Sequence, residues 1–213
     1  FMNKENMCSI AKNAGFNVPE TISVNVDKLG KETIRNFKLP FIIKPLKSID
    51  GIKTDITICF NKEDTDRAIA KFFDKDSIYK KLLIQTFLTG ETNRDFDISG
   101  YKIRGQKAKL FAQIEKIRSF PDASGSTTFC IVKPKITTVD IDVVDRLLEE
   151  MKFEGIFDLD IKEIDSVPYF IEINLRNGAV SYGYTVAGFN IPYSFYLEKT
   201  KGSIPSSNIN IKE

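Results

Sequence analysis

Two hydrophobic periods share the chain, and each change of period marks an element. Met7, Ile10, Ala11 and Ala14 recur at helical spacing, with Asn3 as a candidate N-cap and Gly15 as a stop, which predicts a short amphipathic helix. A Val-Pro step leads into a β-rich run from Thr21 to Val26, then a polar helical stretch near Lys31 to Asn36 and a strand over Pro40 to Lys44. The segment Pro45 to Asp55 reads as a loop and Ile56 to Phe60 as a strand. Lys62 to Phe73 reads as a helix with Ala68, Ile69, Phe72 and Phe73 on one face. A strand from Lys81 to Phe87 then runs into a Thr-Gly-Glu-Thr-Asn turn.

From Arg94 the pattern becomes alternating: Phe96, Ile98 and Gly100, then Ala108, Leu110, Ala112 and Ile114, as in a meander or hairpin. Ser119 to Thr128 reads as a loop, and Val139 to Met151 as a helix with Val143, Leu147, Leu148 and Met151 on one side. Two last strands, Gly155 to Glu163 and Pro168 to Ile173, are joined by Asp165 and Ser166, and a mostly polar tail follows. The expected class is α+β, a mixed α/β chain of two sheet-bearing lobes with a junction near Phe87. That divides it into residues 1–86 and 87–213.

Composition narrows the chemistry. The 213 residues carry 31 Lys plus Arg against 29 Asp plus Glu, a near balance that does not point to nucleic acid. No apolar stretch approaches the ~20 residues of a membrane-spanning helix. There is no histidine, so imidazole bases, Ser-His and Cys-His pairs and His-ligated zinc are all excluded. Carboxylates, lysines and arginines remain. Cys8, Cys59 and Cys130 are odd in number and lie among apolar neighbours, as buried thiols of a reduced, cytoplasmic compartment would. The opening Phe-Met-Asn-Lys falls almost at once into helical periodicity, which suggests a piece of a longer protein.

The sharpest candidate constellation is Asp160 with Glu172 and Asn174. Glu172 and Asn174 are two positions apart and share a strand face, and a hairpin can bring Asp160 beside them. Two carboxylates and an amide oxygen suit Mg²⁺, while the plain alternative is the solvated side of an antiparallel sheet. Arg176 extends that face by one step. Lys44 ends an apolar strand before a loop with Ser48, Gly51, Lys53 and Thr54, where a lysine can neutralise phosphate or simply face solvent. The run Leu82 to Leu88 is either a core strand or a hinge able to hold an adenine. Phe189, Ile191, Phe195 and Tyr196 would cover the core or form a homodimer contact.

In their order along the chain, "LPFIIKP", "YFIEINLRNG" and the opening "MNKENMCSIAKNAGFNVPET" resemble the ATP-grasp superfamily over residues 1 to about 200. The resemblance implies an ATP site between two lobes. Lys4 and Lys44 would contact phosphates, with Ser48 and Gly51 in the closing loop. Gln85, Thr86, Phe87 and Leu88 would hold the adenine, and Glu91 the ribose. Asp160, Glu172 and Asn174 would hold one or two Mg²⁺ (or Mn²⁺) ions. It also implies small-molecule carboxylate and amine substrates joined through an acylphosphate, with Arg176 and Arg118 as catalytic candidates that bind the substrate carboxylate or the transferring phosphoryl group. Gln85 stands where Glu is common, the loop after Lys44 is poor in glycine, and the substrate-binding domain that ordinarily precedes this core is missing. The last two points leave a nucleotide-binding regulatory module, or an inactive fragment, as the alternative reading. "EKIRSFPDASGSTT" and "GFNIPYSFYLEKTKG" are similar to the group near carbamoyl-phosphate synthetase large-subunit domains and D-aspartate ligase-like proteins. Within that group, the Arg-Ser-Phe-Pro and Gly-Ser-Thr-Thr segments are either a substrate loop or a surface loop.

Overall fold

A computed structural model describes residues 4–45, 56–74, 77–120 and 126–202, and their side chains from Asn6 onward. The chain divides into two compact units, one of residues 1–9 and 18–90, the other of residues 10–17 and 91–213. The opening helix α1 (Lys4–Ala14) buries Cys8, Ala11 and Ala14. It stops at Gly15, whose φ of +107° only glycine adopts without strain and whose N–H reaches back to the Lys12 carbonyl.

The first unit is built on a four-stranded antiparallel sheet. Strand β1 (Thr21–Asn25) precedes helix α2 (Lys28–Asn36), capped by Asp27, whose carboxylate accepts from the Gly30 N–H. Strands β2 (Phe41–Pro45) and β3 (Thr57–Cys59) lead to helix α3 (Lys62–Phe72), capped in the same way by Asn61, and then to β4 (Lys81–Thr86). The sheet order is β1-β4-β2-β3. Period-two alternation decides its faces. Phe41 and Ile43 on β2 and Leu82 and Ile84 on β4 enter a core with Val24, Ile34, Ala68, Ile69 and Phe72. Ile42, Lys44, Leu83 and Gln85 therefore share the other face.

The second unit is a five-stranded antiparallel sheet with helices. It comprises β5 (Asn93–Lys102), β6 (Lys109–Phe120), β7 (Ser126–Lys133), helix α4 (Ile141–Glu150), β8 (Gly155–Ile164), β9 (Val167–Asn174), and helices α5 (Ser181–Val186) and α6 (Ile191–Lys201). The sheet order is β7-β6-β5-β8-β9. Three expectations need correction here. Strand β7 was not foreseen, and Ser119, Phe120 and Ser126 to Thr128, expected in a loop, are strand residues. The polar tail instead holds α5 and α6, the latter begun by Asn190 with Pro192 in its first turn. Phe189 and Ile191 join Tyr101, Ala112, Ile114 and Tyr184 in a core, Phe195 packs against it, and Tyr196 stays exposed.

None of the three cysteines is in a disulfide. Cys8 and Cys59 are buried, burial pushing the Cys59 thiol up to about 11, while Cys130 is only half-buried. Among the described residues no helix is long and apolar enough to cross a membrane.

Candidate functional site

In the first unit the structure brings Lys44 and Gln85 together. Antiparallel register sets Lys44 opposite Leu83 and Ile42 opposite Gln85, so the two polar side chains lie diagonally on the face away from the core. The Lys44 ammonium donates to Gln85 Oε1 at 3.0 Å, and Gln85 Nε2 donates to Thr21 Oγ1 at 2.9 Å. Gln85 is buried, so its amide is committed to this relay. The N–H groups of Thr86 and Phe87 donate to the Glu20 and Pro40 carbonyls, so a base would not draw on them. Phe87 stacks edge-on against Phe60. Ser48, Gly51 and the Lys4 side chain lie outside the described residues.

In the second unit the last hairpin holds the carboxylates. Asp165 and Ser166, with φ of +50° and +67°, make the tight two-residue turn between β8 and β9. Counting back from that turn, Asp160 would oppose Ile171. A register shift between Asp160 and Ile161 leaves Ile171 unpaired and sets Glu172 opposite Asp160, with Asn174 opposite Asp158. Two carboxylates and an amide oxygen thus share one face beside a bulge. This donor set fits Mg²⁺, which binds through one or two carboxylates and leaves its other positions to water and phosphate. Among the described residues no three histidine, cysteine, aspartate or glutamate side chains are placed to share an ion.

The same face carries residues that sequence reasoning did not single out. Asp97 of β5 lies opposite Asp160, and Ser99 opposite Asp158. Asp97, Ser99 and Asp158 are each 4% exposed or less. Ser99 Oγ donates to Asp158 Oδ1 at 2.8 Å, and the Tyr184 hydroxyl lies 2.6 Å from the Asp97 carbonyl and 3.0 Å from its Oδ1. Gly178, in the Asn-Leu-Arg-Asn-Gly segment after β9, closes the back. A Cβ there would fall 2.4 Å from Asp158 Cγ and from both carboxylate oxygens. Asp158 is thereby walled in. The available signal was the alternation of Asp97 and Ser99 with Phe96 and Ile98, matching that of Asp158 and Asp160 with Phe157 and Leu159.

Two lysines balance the acids. Lys116 of β6 reaches across β5 to pair with Asp160, and Lys162 of β8 pairs with Asp95 at 3.0 Å. Burial pushes Asp160 up to about 6 even though Lys116 opposes it, and Glu172 adds to the rise. Asp97 is raised well above the usual carboxylate range, by burial first and then by the Asp158 charge. Arg176 is exposed, with a guanidinium nitrogen 3.5 Å from Asn174 Oδ1. Arg118 is exposed on β6, which β5 and β8 separate from β9. Glu91 is exposed at the start of this unit's main segment.

No known family profile matches the chain. It is 19% identical over 202 residues to a D-aspartate ligase of Enterococcus faecium (strain Aus0004), covering 89% of this chain and 48% of that protein. Its fold matches the ADP complex of N5-carboxyaminoimidazole synthetase from Staphylococcus aureus with a TM-score of 0.74 and 17% identity, over 95% of this chain and 52% of that one. It also matches an L-amino acid ligase from Bacillus licheniformis with a TM-score of 0.67 and 16% identity, over 99% of this chain and 50% of that one. The chain thus spans about half the length of the relatives it matches.

Proposed function

On the premise that this chain has the ATP-grasp fold, we propose that it is the core of an ATP- and Mg²⁺-dependent ligase joining a small carboxylate to an amine. The observation that carries this reading is the register of β8 and β9, which sets Asp160 against Glu172 with Asn174 two positions on. In the proposal Asp160, Glu172 and Asn174 hold Mg²⁺ or Mn²⁺, whose chemistry is to neutralise charge on the nucleotide phosphates. Lys44, and Lys4 with it, meets phosphate oxygens. The loop with Ser48 and Gly51 covers them, the Gln85 to Leu88 segment takes the adenine, and Glu91 takes the ribose. Arg176 and Arg118 are assigned to the substrate carboxylate or the phosphoryl group in transfer.

A substrate carboxylate oxygen attacks the γ-phosphorus while the bond to the β-phosphate oxygen breaks, releasing ADP. The amine nitrogen then attacks the acyl carbon, inorganic phosphate leaves, and the amine proton passes to solvent. Such transfer needs positioning and charge neutralisation more than a protein nucleophile, which suits a chain without histidine. Two of the relatives named above are a D-aspartate ligase and an L-amino acid ligase, so amino-acid carboxylates are the first substrates to screen. The test is ADP release from Mg²⁺-ATP with pooled D- and L-amino acids and small carboxylates. Substrate-stimulated release that Glu172→Gln abolishes supports the ligase. Nucleotide binding with no release from any pool supports the nucleotide-binding regulatory module.

A further inference from the structure

We propose that Lys116 is a built-in competitor for the divalent cation at Asp160, a resident ammonium that keeps this face's affinity for metal alone low. The inference rests on the reading of Asp160, Glu172 and Asn174 as the cation-holding set. Of the two lysines on the face, Lys162 is committed to Asp95, with 3.0 and 3.2 Å to its two oxygens. Asp160 therefore falls to Lys116, whose ammonium takes Asp160 Oδ1. The contact spans β5, since Lys116 is set opposite Asp95 on that strand and Asp160 opposite Asp97.

Both partners are largely enclosed, with side-chain exposures of 19% for Lys116 and 21% for Asp160, so water screens their attraction poorly. The Asp158 charge adds to the field that holds the ammonium in place. A divalent ion bound through Asp160 and Glu172 must either share Asp160 with this ammonium, at the cost of close like-charge repulsion, or displace it. Displacement leaves Lys116 beside Asp97 and Asp158, two carboxylates already engaged by Ser99 and Tyr184. The lysine stem is flexible enough to swing away, but it leaves at low cost only when another anion arrives to receive it. Metal alone supplies no anion, whereas metal carried on a polyphosphate does.

The test is a titration of the whole chain with Mn²⁺ alone, read by electron paramagnetic resonance, with folding checked by circular dichroism. Lys116→Met is expected to bind Mn²⁺ about tenfold more tightly than wild type. Lys116→Arg, which keeps the charge, should stay near wild type, and Glu172→Gln should weaken binding. If Lys116→Met fails to fold, Lys116→Gln carries the same comparison. Unchanged or weaker Mn²⁺ binding in a folded charge-removal variant, with Glu172→Gln still weakening it, overturns the competitor role alone. No effect of Glu172→Gln overturns the cation assignment beneath it as well.

Discussion

Glu172 faces Asp160 because Ile171 is left unpaired between Phe170 and Glu172, a one-residue shift that turns an otherwise mismatched hairpin into a carboxylate pair. Asp160 then feels the charge of Glu172. Titration of the Asp160 carboxyl by carbon NMR is expected near pH 6 in the wild type. In Glu172→Gln it should move down, because a raising charge is gone, and in Lys116→Met it should move up. An Asp160 titration indifferent to Glu172 would separate the two side chains.

Gly178 is pressed onto Asp158 so closely that a methyl group has no room. Gly178→Ala is expected to destabilise the chain by about 2 kcal/mol, lowering Tm by roughly 4–8 °C. Asp158→Ala in the same chain should recover part of that loss, as two side chains competing for one volume must. Additive melting temperatures across the four proteins would contradict the contact.

Asp97 sets a pH dependence of defined sign. Its carboxyl is raised in the folded state, chiefly by burial. The folded chain therefore keeps a proton that the unfolded chain releases near pH 3.9. Its contribution to stability is complete below that pH and is lost as pH rises through the folded value. Asp97→Asn, which keeps an oxygen for Tyr184 but carries no charge, should gain in Tm relative to wild type as pH rises above about 4. The check is a pair of melting curves across that range.

Lys102 is a buried lysine whose side chain is 2% exposed, held by Asp145 at 2.7 Å and Glu149 at 2.6 Å. Asp145 also accepts from the Ala108 N–H at 2.6 Å. Asp145→Ala removes both bonds and leaves Glu149, which is largely exposed, as the counter-charge. The expected loss is about 2 kcal/mol, below that of a fully isolated buried charge. Denaturant unfolding measures it.

Much of the fold was legible where a local signal stood alone. Gly15 marked a real helix end, and Asp165-Ser166 marked the hairpin that carries Asp160 and Glu172. The alternating run from Phe96 to Ile114 became β5 and β6. Strand β7 was hidden because Ser, Gly and Pro around residues 119–126 outweighed the β-formers Thr127, Thr128, Phe129 and Ile131. Helix α6 was hidden because its buried side includes Ser194 and Glu198 while Tyr193 and Tyr196 are exposed, which blurs the apolar period, though Asn190 and Pro192 are start signals and Gly202, at φ +73°, is a stop. Asp97 and Asp158 escaped notice because a polar residue alternating with apolar ones reads as a solvated face. Only the neighbouring strands, α5 and Gly178 bury them. Register across strands is a non-local property, so the bulge at Ile171 left no mark in local periodicity.

Nucleotide binding is the claim on which every functional assignment depends, and a thermal melt tests it most directly. With a nonhydrolysable ATP analogue and Mg²⁺ well above Kd, Tm is expected to rise by roughly 5 °C. Lys44→Met, which keeps the aliphatic stem on the face shared with Gln85, should abolish the rise. No shift at millimolar analogue with Mg²⁺, or an equal shift in Lys44→Met, would contradict the account.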